Sequence, residues 1–337
     1  MTATPARRWP PLAAIVGAPR CGTTSLANYL MTHPAVTFSS PKEPHYFTIF
    51  DLDGLGDAEL RETVEQGYLD RFFGADWRDA ELLMEGSVSY LFGADKLKPL
   101  LRLWPDARFI IAVRDPMTML PSLHQRYLVT GDETATSFVE AWQLVPERAA
   151  GRRIPASCLD PRMLRYDIAG RLGDAVEHFF DVVGRERCHV VVHDDLISRP
   201  ADVYAGMLNF LDLPHDGRTD FPPMRAAAGV RWHWLQRLLQ RPPLAKRLLA
   251  GRRFRAKLAK GSAKPTPAPV TAIMRARKQL IRFNEVPASK PHLDHALRQQ
   301  LHEAFAADTA KLGRLIGRDL SHWLAVEPAG EAKPRRA

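Results

Sequence analysis

The chain has 337 residues, 45% of them hydrophobic and 25% charged, the balance of a soluble globular protein with room for one large domain or two ordinary ones. Its formal net charge of +9 suits an anionic ligand, a nucleic acid or an acidic membrane surface without choosing between them. Three cysteines, Cys21, Cys158 and Cys188, are too far apart for metal-ligand spacing and odd in number, so they read as reduced, buried thiols and not as a disulfide framework.

In chain order, "PLAAIVG" (11–17) reads as a buried strand that stops at Gly, and "TTSLANYLMTH" (23–33) as a helix with Leu26, Tyr29 and Leu30 on one face. "AVTF" (35–38), "ELLMEG" (81–86), "RFIIAV" (108–113) and "CHVVVH" (188–193) read as further strands, with a helix-like segment over 162–182. This strand–helix alternation predicts an α/β fold with a parallel sheet covered by helices on both faces. The second half changes character. Residues 231–264 are basic and helix-like, "KPTPAPV" (264–270) reads as a linker or surface loop, and 292–317 form an amphipathic helix with Leu297, Leu301, Phe305, Leu312 and Leu315 on its apolar side, with room for one break. The domain is expected over 11–323, with a basic helical insertion at 231–290 and flexible tails at 1–10 and 325–337. No run approaches ~18 uninterrupted apolar residues, so no transmembrane helix is expected. The start "MTATPARRWPP" has no small-residue cleavage site after its short apolar run, so the default compartment is the cytoplasm, with a peripheral place at the cytoplasmic membrane face left open.

The segment most specific for chemistry is "GAPRCGTT" (17–24). Gly17 and Gly22 have the spacing of a phosphate-binding GxxxxGK[ST] loop, but Thr23 stands where that motif puts the lysine that reaches the β- and γ-phosphates. What remains is a Gly-turned loop that opens a helix, whose backbone N–H groups and dipole favour an anion. Thr23, Thr24 and Ser25 add hydroxyls and Arg20 adds a charge, which suits a terminal monophosphate better than a triphosphate. The alternative is a Gly-rich strand–helix turn without a ligand.

A second cluster lies at 108–128. The strand ends in Arg114-Asp115-Pro116, and Ser122 follows Arg114 by eight residues, about two turns into the next helix. Open parallel sheets bind ligands at this carboxyl edge. Where a nucleotide triphosphatase would more often place an Asp for Mg²⁺, this strand ends in Arg, so a second anion is met by protein charge and no metal ligands are expected.

Two separate phosphate sites without metal ligands suit a nucleotide phosphorylated at both ends of its ribose. The pattern resembles the sulfotransferases that use 3′-phosphoadenosine 5′-phosphosulfate (PAPS). "GAPRCGTTSL" is similar to their 5′-phosphosulfate loop, with Arg20, Cys21, Gly22, Thr23, Thr24 and Ser25 in it. "IIAVRDPMTMLPSLHQRYL" is similar to their 3′-phosphate segment, with Arg114 and Ser122 at the matching places. "HPAVTFSSPKEPHYF" (33–47), "EGSVSYLF" (85–92) and 301–323 resemble segments of the carbohydrate (heparan-type) branch and its bacterial relatives. The resemblance implies a P-loop-like α/β fold with additional C-terminal helices, and transfer of a sulfuryl group from PAPS to a hydroxyl or amine of a carbohydrate, glycolipid or small-molecule acceptor. Two departures stand out. Arg20 replaces the family's usual Lys, keeping the charge but donating protons less readily. Gly86 stands where heparan-type enzymes tend to carry a Lys.

Sulfuryl transfer needs a base for the acceptor proton, neutralisation of the moving group and stabilisation of the leaving phosphate. "KEPHYF" offers Lys42, Glu43 and His45 just after the second strand. Lys42 would lower the Glu43 pKa and Pro44 would fix its backbone. The resemblance makes Glu43 the base and gives His45 a second important role; the bland alternative is an exposed Lys–Glu pair. Other histidines read as structural: His124 faces away from Ser122, His193 is expected to cap the next helix more than to line an acceptor cleft, and His233 is left open. Arg165 and Tyr166 are minor candidates for the nucleotide. The stretch 231–260 has three readings: a late cation for the 3′-phosphate, with Arg252 and Arg253 foremost; an anionic membrane surface; or a solvated basic helix face. A P-loop kinase or NTPase is the runner-up function. A basic nucleic-acid-binding protein comes third, since no recognition motif accompanies the charge.

Overall fold

The computed structural model describes residues 9–158, 160–222, 228–240, 268–287 and 293–325. Five short apolar runs form one parallel sheet: β1 (Leu12–Gly17), β2 (Val36–Phe38), β3 (Leu82–Glu85), β4 (Arg108–Val113) and β5 (Cys188–Val192), in the order β2-β3-β1-β4-β5. All six residues of β1 are buried, as a central strand covered on both faces requires. The register puts Ala13 opposite Met84 of β3 on one side and Arg108 of β4 on the other. The alternation of the first half is thus an α/β parallel sheet, as its pattern predicts.

The strands do not follow chain order: β3 inserts between β1 and β2, because the long segment after β2 returns its own strand to the inner position. The chain leaves β1 toward one edge of the sheet and reaches β4 and β5 on the other. A crevice at the carboxyl ends follows from such a reversal.

The chain divides into two compact units. The first, among the described residues 9–114 and 175–222, contains the whole five-stranded sheet. Its helices include α1 (Thr23–Met31), α2 (Asp57–Val64), α3 (His193–Ser198) and α4 (Pro200–Leu211).

The second unit takes, among the described residues, 115–158, 160–174, 228–240, 268–287 and 293–325. It is built on α5 (Pro116–Thr130), α6 (His233–Gln240), α7 (Ala268–Asn284) and α8 (His295–Ile316), with an antiparallel pair β6 (Ala228–Val230) and β7 (Glu285–Pro287). Asp115 caps α5 by accepting from the Met117 N–H at 2.8 Å, and Pro116 opens the helix. Glu133 and Arg148 form an ion pair at 2.7 Å with both side chains fully buried, and the Tyr166 hydroxyl donates to the same carboxylate at 3.0 Å. Asp308 of α8 accepts from the N–H groups of Gly173 and Asp174, both at 2.8 Å.

Three expectations change here. The helix-like stretch 162–182 is broken into a 3-10 turn at Pro161–Leu164, a short helix at Tyr166–Ala169 and a longer one at Leu172–Val183. The C-terminal helix runs unbroken from His295 to Ile316. Residues 268–270, expected in a loop, already belong to α7. The basic run after Gln240, including Arg252 and Arg253, lies outside the described residues, as do the tails at 1–8 and 326–337.

Candidate active site

The anion loop begins where β1 ends. Gly17 has φ +141°, and a Cβ there would stand 2.9 Å from Leu91 Cβ and 3.1 Å from Val88 O, so the segment after β3 packs directly on the loop. Gly22, at φ +93°, ends the loop and is the N-cap of α1. A Cβ on it would meet Leu196 at 2.5 Å. α1 starts without a side-chain cap and without an acid in its first turn, so its positive end is left to a ligand.

Two cations meet at this loop. Arg114, just past β4, donates from Nη1 to the Arg20 carbonyl at 3.1 Å. Arg20 holds a left-handed backbone, φ +66°, half-buried. Burial pushes the Cys21 thiol up to about 12 against the pull of Arg114 and Arg20, and its Sγ turns to Pro19 O at 3.6 Å. Only the Cys21 backbone is therefore placed to serve an anion. Thr23 is buried, Ser25 half-buried and Thr24 exposed. Ser122 lies half-buried on α5, in the second unit.

The loop after β2 is held by the end of β3. Gly86 donates its N–H to Lys42 O at 2.9 Å, and Ser39 donates to Met84 O at 2.8 Å. Lys42, Glu43 and His45 come together as a chain of contacts. Lys42 Nζ lies 2.6 Å from Glu43 Oε1, and His45 Nε2 lies 3.4 Å from Glu43 Oε2. Burial pushes the Glu43 carboxyl up, but the His45 and Lys42 interactions outweigh it and hold the group down at about 2. Its side chain is 34% exposed, so it is ionised and reachable. Lys42 also fills the space above Gly86: a Cβ there would lie 3.3 Å from Lys42 Nζ. The cation missing at position 86 is thus matched by a lysine arriving from the neighbouring loop.

The structure adds residues that the sequence reading missed or placed elsewhere. His193 is the first residue of α3 and makes no cap; Val192 is the N-cap and supplies no side-chain bond. Instead His193 Cδ2 stands 3.4 Å from where a Gly22 Cβ would be. Burial, with Arg114 nearby, pushes its pKa down to about 4, so it is neutral near pH 7. Its place at the carboxyl end of β5, one strand beyond Arg114, was the available signal. Ser87 and Ser89 hold His45, accepting from its N–H at 2.7 Å and lying 2.8 Å from its Nδ1. Conversely, Tyr166 is buried against Glu133 and Arg165 pairs with Asp167 at 2.6 Å. His124 is fully buried and contacts Ala135 O at 2.9 Å, a structural histidine as its position on the helix predicts.

All three cysteines are free and buried. Among the described residues no group of three or more His, Cys, Asp or Glu is placed to hold a metal ion, and no helix is long and apolar enough to cross a membrane.

A parallel sheet with a Gly-turned loop after its central strand, an Arg after the next strand and a Glu-centred cluster after the edge strand β2 defines a protein of the α/β class. A model of the sulfotransferase family matches residues 52–217. The fold is similar to that of a solved sulfotransferase from Alicyclobacillus acidocaldarius, at 25% identity and a TM-score of 0.58, over 93% of this chain and 98% of that one. Carbohydrate sulfotransferase 15 of Mus musculus is 32% identical over 161 residues, and that of Homo sapiens 43% identical over 60. The chain spans 28% and 11% of the lengths of these two relatives. These likenesses support a member of the sulfotransferase family.

Proposed function

We propose that the protein transfers a sulfuryl group from PAPS to an acceptor hydroxyl. The observation that carries this reading is the bond from Arg114, just past β4, to the Arg20 carbonyl of the loop, before a helix whose N-terminus has neither a side-chain cap nor an acid. Backbone N–H groups of Gly22, Thr23 and Thr24, with the hydroxyls of Thr24 and Ser25, would receive the 5′-phosphosulfate. Arg20 would neutralise the bridging oxygen as it leaves; Arg114 would meet the 3′-phosphate. Thr23 at the lysine position and Arg114 at the strand end disfavour a triphosphate–Mg²⁺ partner, and with it the kinase alternative.

Glu43 is the base in this scheme. A carboxylate held at about 2 by Lys42 and His45 is weakly basic in the resting site. The proton it must accept comes from an oxygen that grows more acidic as its bond to sulfur forms. An acceptor hydroxyl that displaces Lys42 or His45 from the carboxylate also raises its basicity at that moment.

The names of the curated relatives favour a carbohydrate hydroxyl among the acceptor classes. A transfer assay tests the function: [³⁵S]PAPS with a panel of glycans, a glycolipid, a phenol and an amine. Labelled product from any of them supports it. Binding of ATP–Mg²⁺ but not PAPS would overturn it.

The partner proposed for the basic region is an anionic membrane surface. Trp232, Trp234, Leu238, Leu280 and Phe283 are exposed, and Arg231 lies over the rings of both Trp232 and Phe283. Cations outnumber acids throughout α6 and α7, and large exposed apolar side chains among arginines suit an anionic bilayer interface. The protein should sediment with phosphatidylglycerol vesicles, and Trp234→Ser should weaken this. Equal indifference to anionic and neutral vesicles would refute it.

A further inference from the structure

The base loop stands on a buried carboxylate. Glu85, the last residue of β3, is fully buried and is met by three hydroxyls. Tyr68 donates to its Oε1 at 2.9 Å, Tyr90 donates to the same oxygen at 2.6 Å, and Ser87 donates to Oε2. Two of these hydroxyls have a second partner. Ser87 Oγ accepts the His45 N–H at 2.7 Å, and Tyr90 OH accepts the Phe47 N–H at 3.5 Å. Both N–H groups belong to the segment that follows Glu43, at the start of the short helix Tyr46–Ile49, where a helix leaves its donors unsatisfied.

The arrangement has a direction. Ser87 has one hydrogen, and because it accepts from His45 that hydrogen points at Glu85. Removing the carboxylate charge therefore frees Ser87 to turn away from the loop. The loop needs this grip, because His45 sits in the left-handed region at φ +52°, an uncommon place for a residue with a side chain. Such a conformation persists only where the surroundings over-determine it. Here they are Ser87 at the backbone and Ser89 at the ring, with Thr48 in turn 2.7 Å from Ser89 and donating to His45 O at 3.1 Å.

We propose that Glu85 is a positioning residue for catalysis: through Ser87 and Tyr90 it fixes the backbone of His45 and Phe47, and so sets where His45 holds the Glu43 carboxylate. The inference rests on the reading of Glu43 as the base. It takes Glu85 out of the acceptor and donor contacts and gives a purely buried residue control of the reaction. Burial favours the neutral form of Glu85 and its three hydroxyl donors favour the charged one, which is why the donors accompany it into the core.

The gentler variant is Ser87→Ala, which removes one oxygen and leaves Glu85 and both tyrosines in place; Glu85→Gln is the second. Two readouts are needed. In wild type, the ¹³C signal of the Glu43 carboxyl, assigned with Glu43→Gln, should stay in its ionised position down to about pH 4. In Ser87→Ala it should titrate at a higher pH than in wild type, because a displaced His45 no longer stabilises the charge. Turnover of [³⁵S]PAPS with the best acceptor of the panel should fall about 10- to 100-fold, as for a misplacement on the ångström scale, while affinity for adenosine 3′,5′-bisphosphate stays within about twofold. Adding Ser87→Ala to Glu43→Gln should cost no further activity, since a residue acting through Glu43 has nothing left to act on. An unchanged Glu43 titration in a folded, nucleotide-binding Ser87→Ala protein would overturn the proposal. So would an undiminished further loss in the double variant. If Glu43→Gln alone keeps its turnover, it is the base assignment that fails, and the titration still decides whether Glu85 positions the loop.

Discussion

At the scale of single residues, the account turns on a few charges. Glu43→Gln keeps the shape and loses the basicity, so turnover should fall about 10²- to 10⁴-fold with nucleotide affinity nearly unchanged; a calorimetric titration beside the transfer assay checks both. Arg114 was expected to serve the 3′-phosphate alone, but its bond to the Arg20 carbonyl ties it to the loop as well. Arg114→Ala should therefore weaken a donor analogue lacking the 3′-phosphate too, and weaken adenosine 3′,5′-bisphosphate more, the latter by roughly 1.5–3 kcal/mol for a lost charge-assisted bond. His193 gives a pH test. Its folded pKa, about 4, is below the ordinary 6.5, so the unfolded chain binds the proton first as pH falls. That costs stability progressively between about pH 6.5 and pH 4. His193→Gln should shrink the fall in Tm between pH 7 and pH 5, read by calorimetry. Lys42, Glu43 and His45 stand out as candidates in the sequence because three chemical groups crowd one six-residue stretch after a strand, and the structure brings their side chains into contact. Glu85 does not stand out, because a Glu ending a strand reads as a surface charge, and its partner Tyr68 lies seventeen residues earlier in the chain.

At the scale of elements, the five strands could be read to within a residue or two, since each is a short β-branched or apolar run with a sharp stop. Their order was not legible. Which neighbour β1 receives depends on where the long excursion after β2 comes back, and no local pattern encodes that. The broken stretch 162–182 failed for a different reason: Pro161 just before it opens a 3-10 turn and Gly170 interrupts it, while the apolar spacing continues. The loop-to-helix junction makes a stability prediction. Gly22→Ala would force a Cβ into the left-handed region and against Leu196, at a cost of about 1–3 kcal/mol. Tm should fall by several degrees, and adenosine 3′,5′-bisphosphate should bind more weakly. In the second unit, Arg148→Ala would strand the Glu133 carboxylate in the core and cost about 3–5 kcal/mol, measurable by urea unfolding.

At the scale of the whole molecule, the net charge of +9 suits anionic partners, and under the proposed function the loop and the Arg at the strand end receive a nucleotide with two separate phosphates. The acceptor was not legible. Acceptor recognition belongs to segments with no periodic pattern, and the chain spans too little of its curated relatives to carry their substrates across. The central claim is that protein cations at the loop, not a metal, receive a nucleotide phosphorylated at both ends. Titration calorimetry with adenosine 3′,5′-bisphosphate in EDTA, set against ATP with Mg²⁺, tests it most directly. The account predicts that the bisphosphate binds with undiminished affinity in the chelator and that ATP–Mg²⁺ binds far more weakly. Tighter binding of ATP–Mg²⁺, or loss of the bisphosphate on chelation, would contradict it.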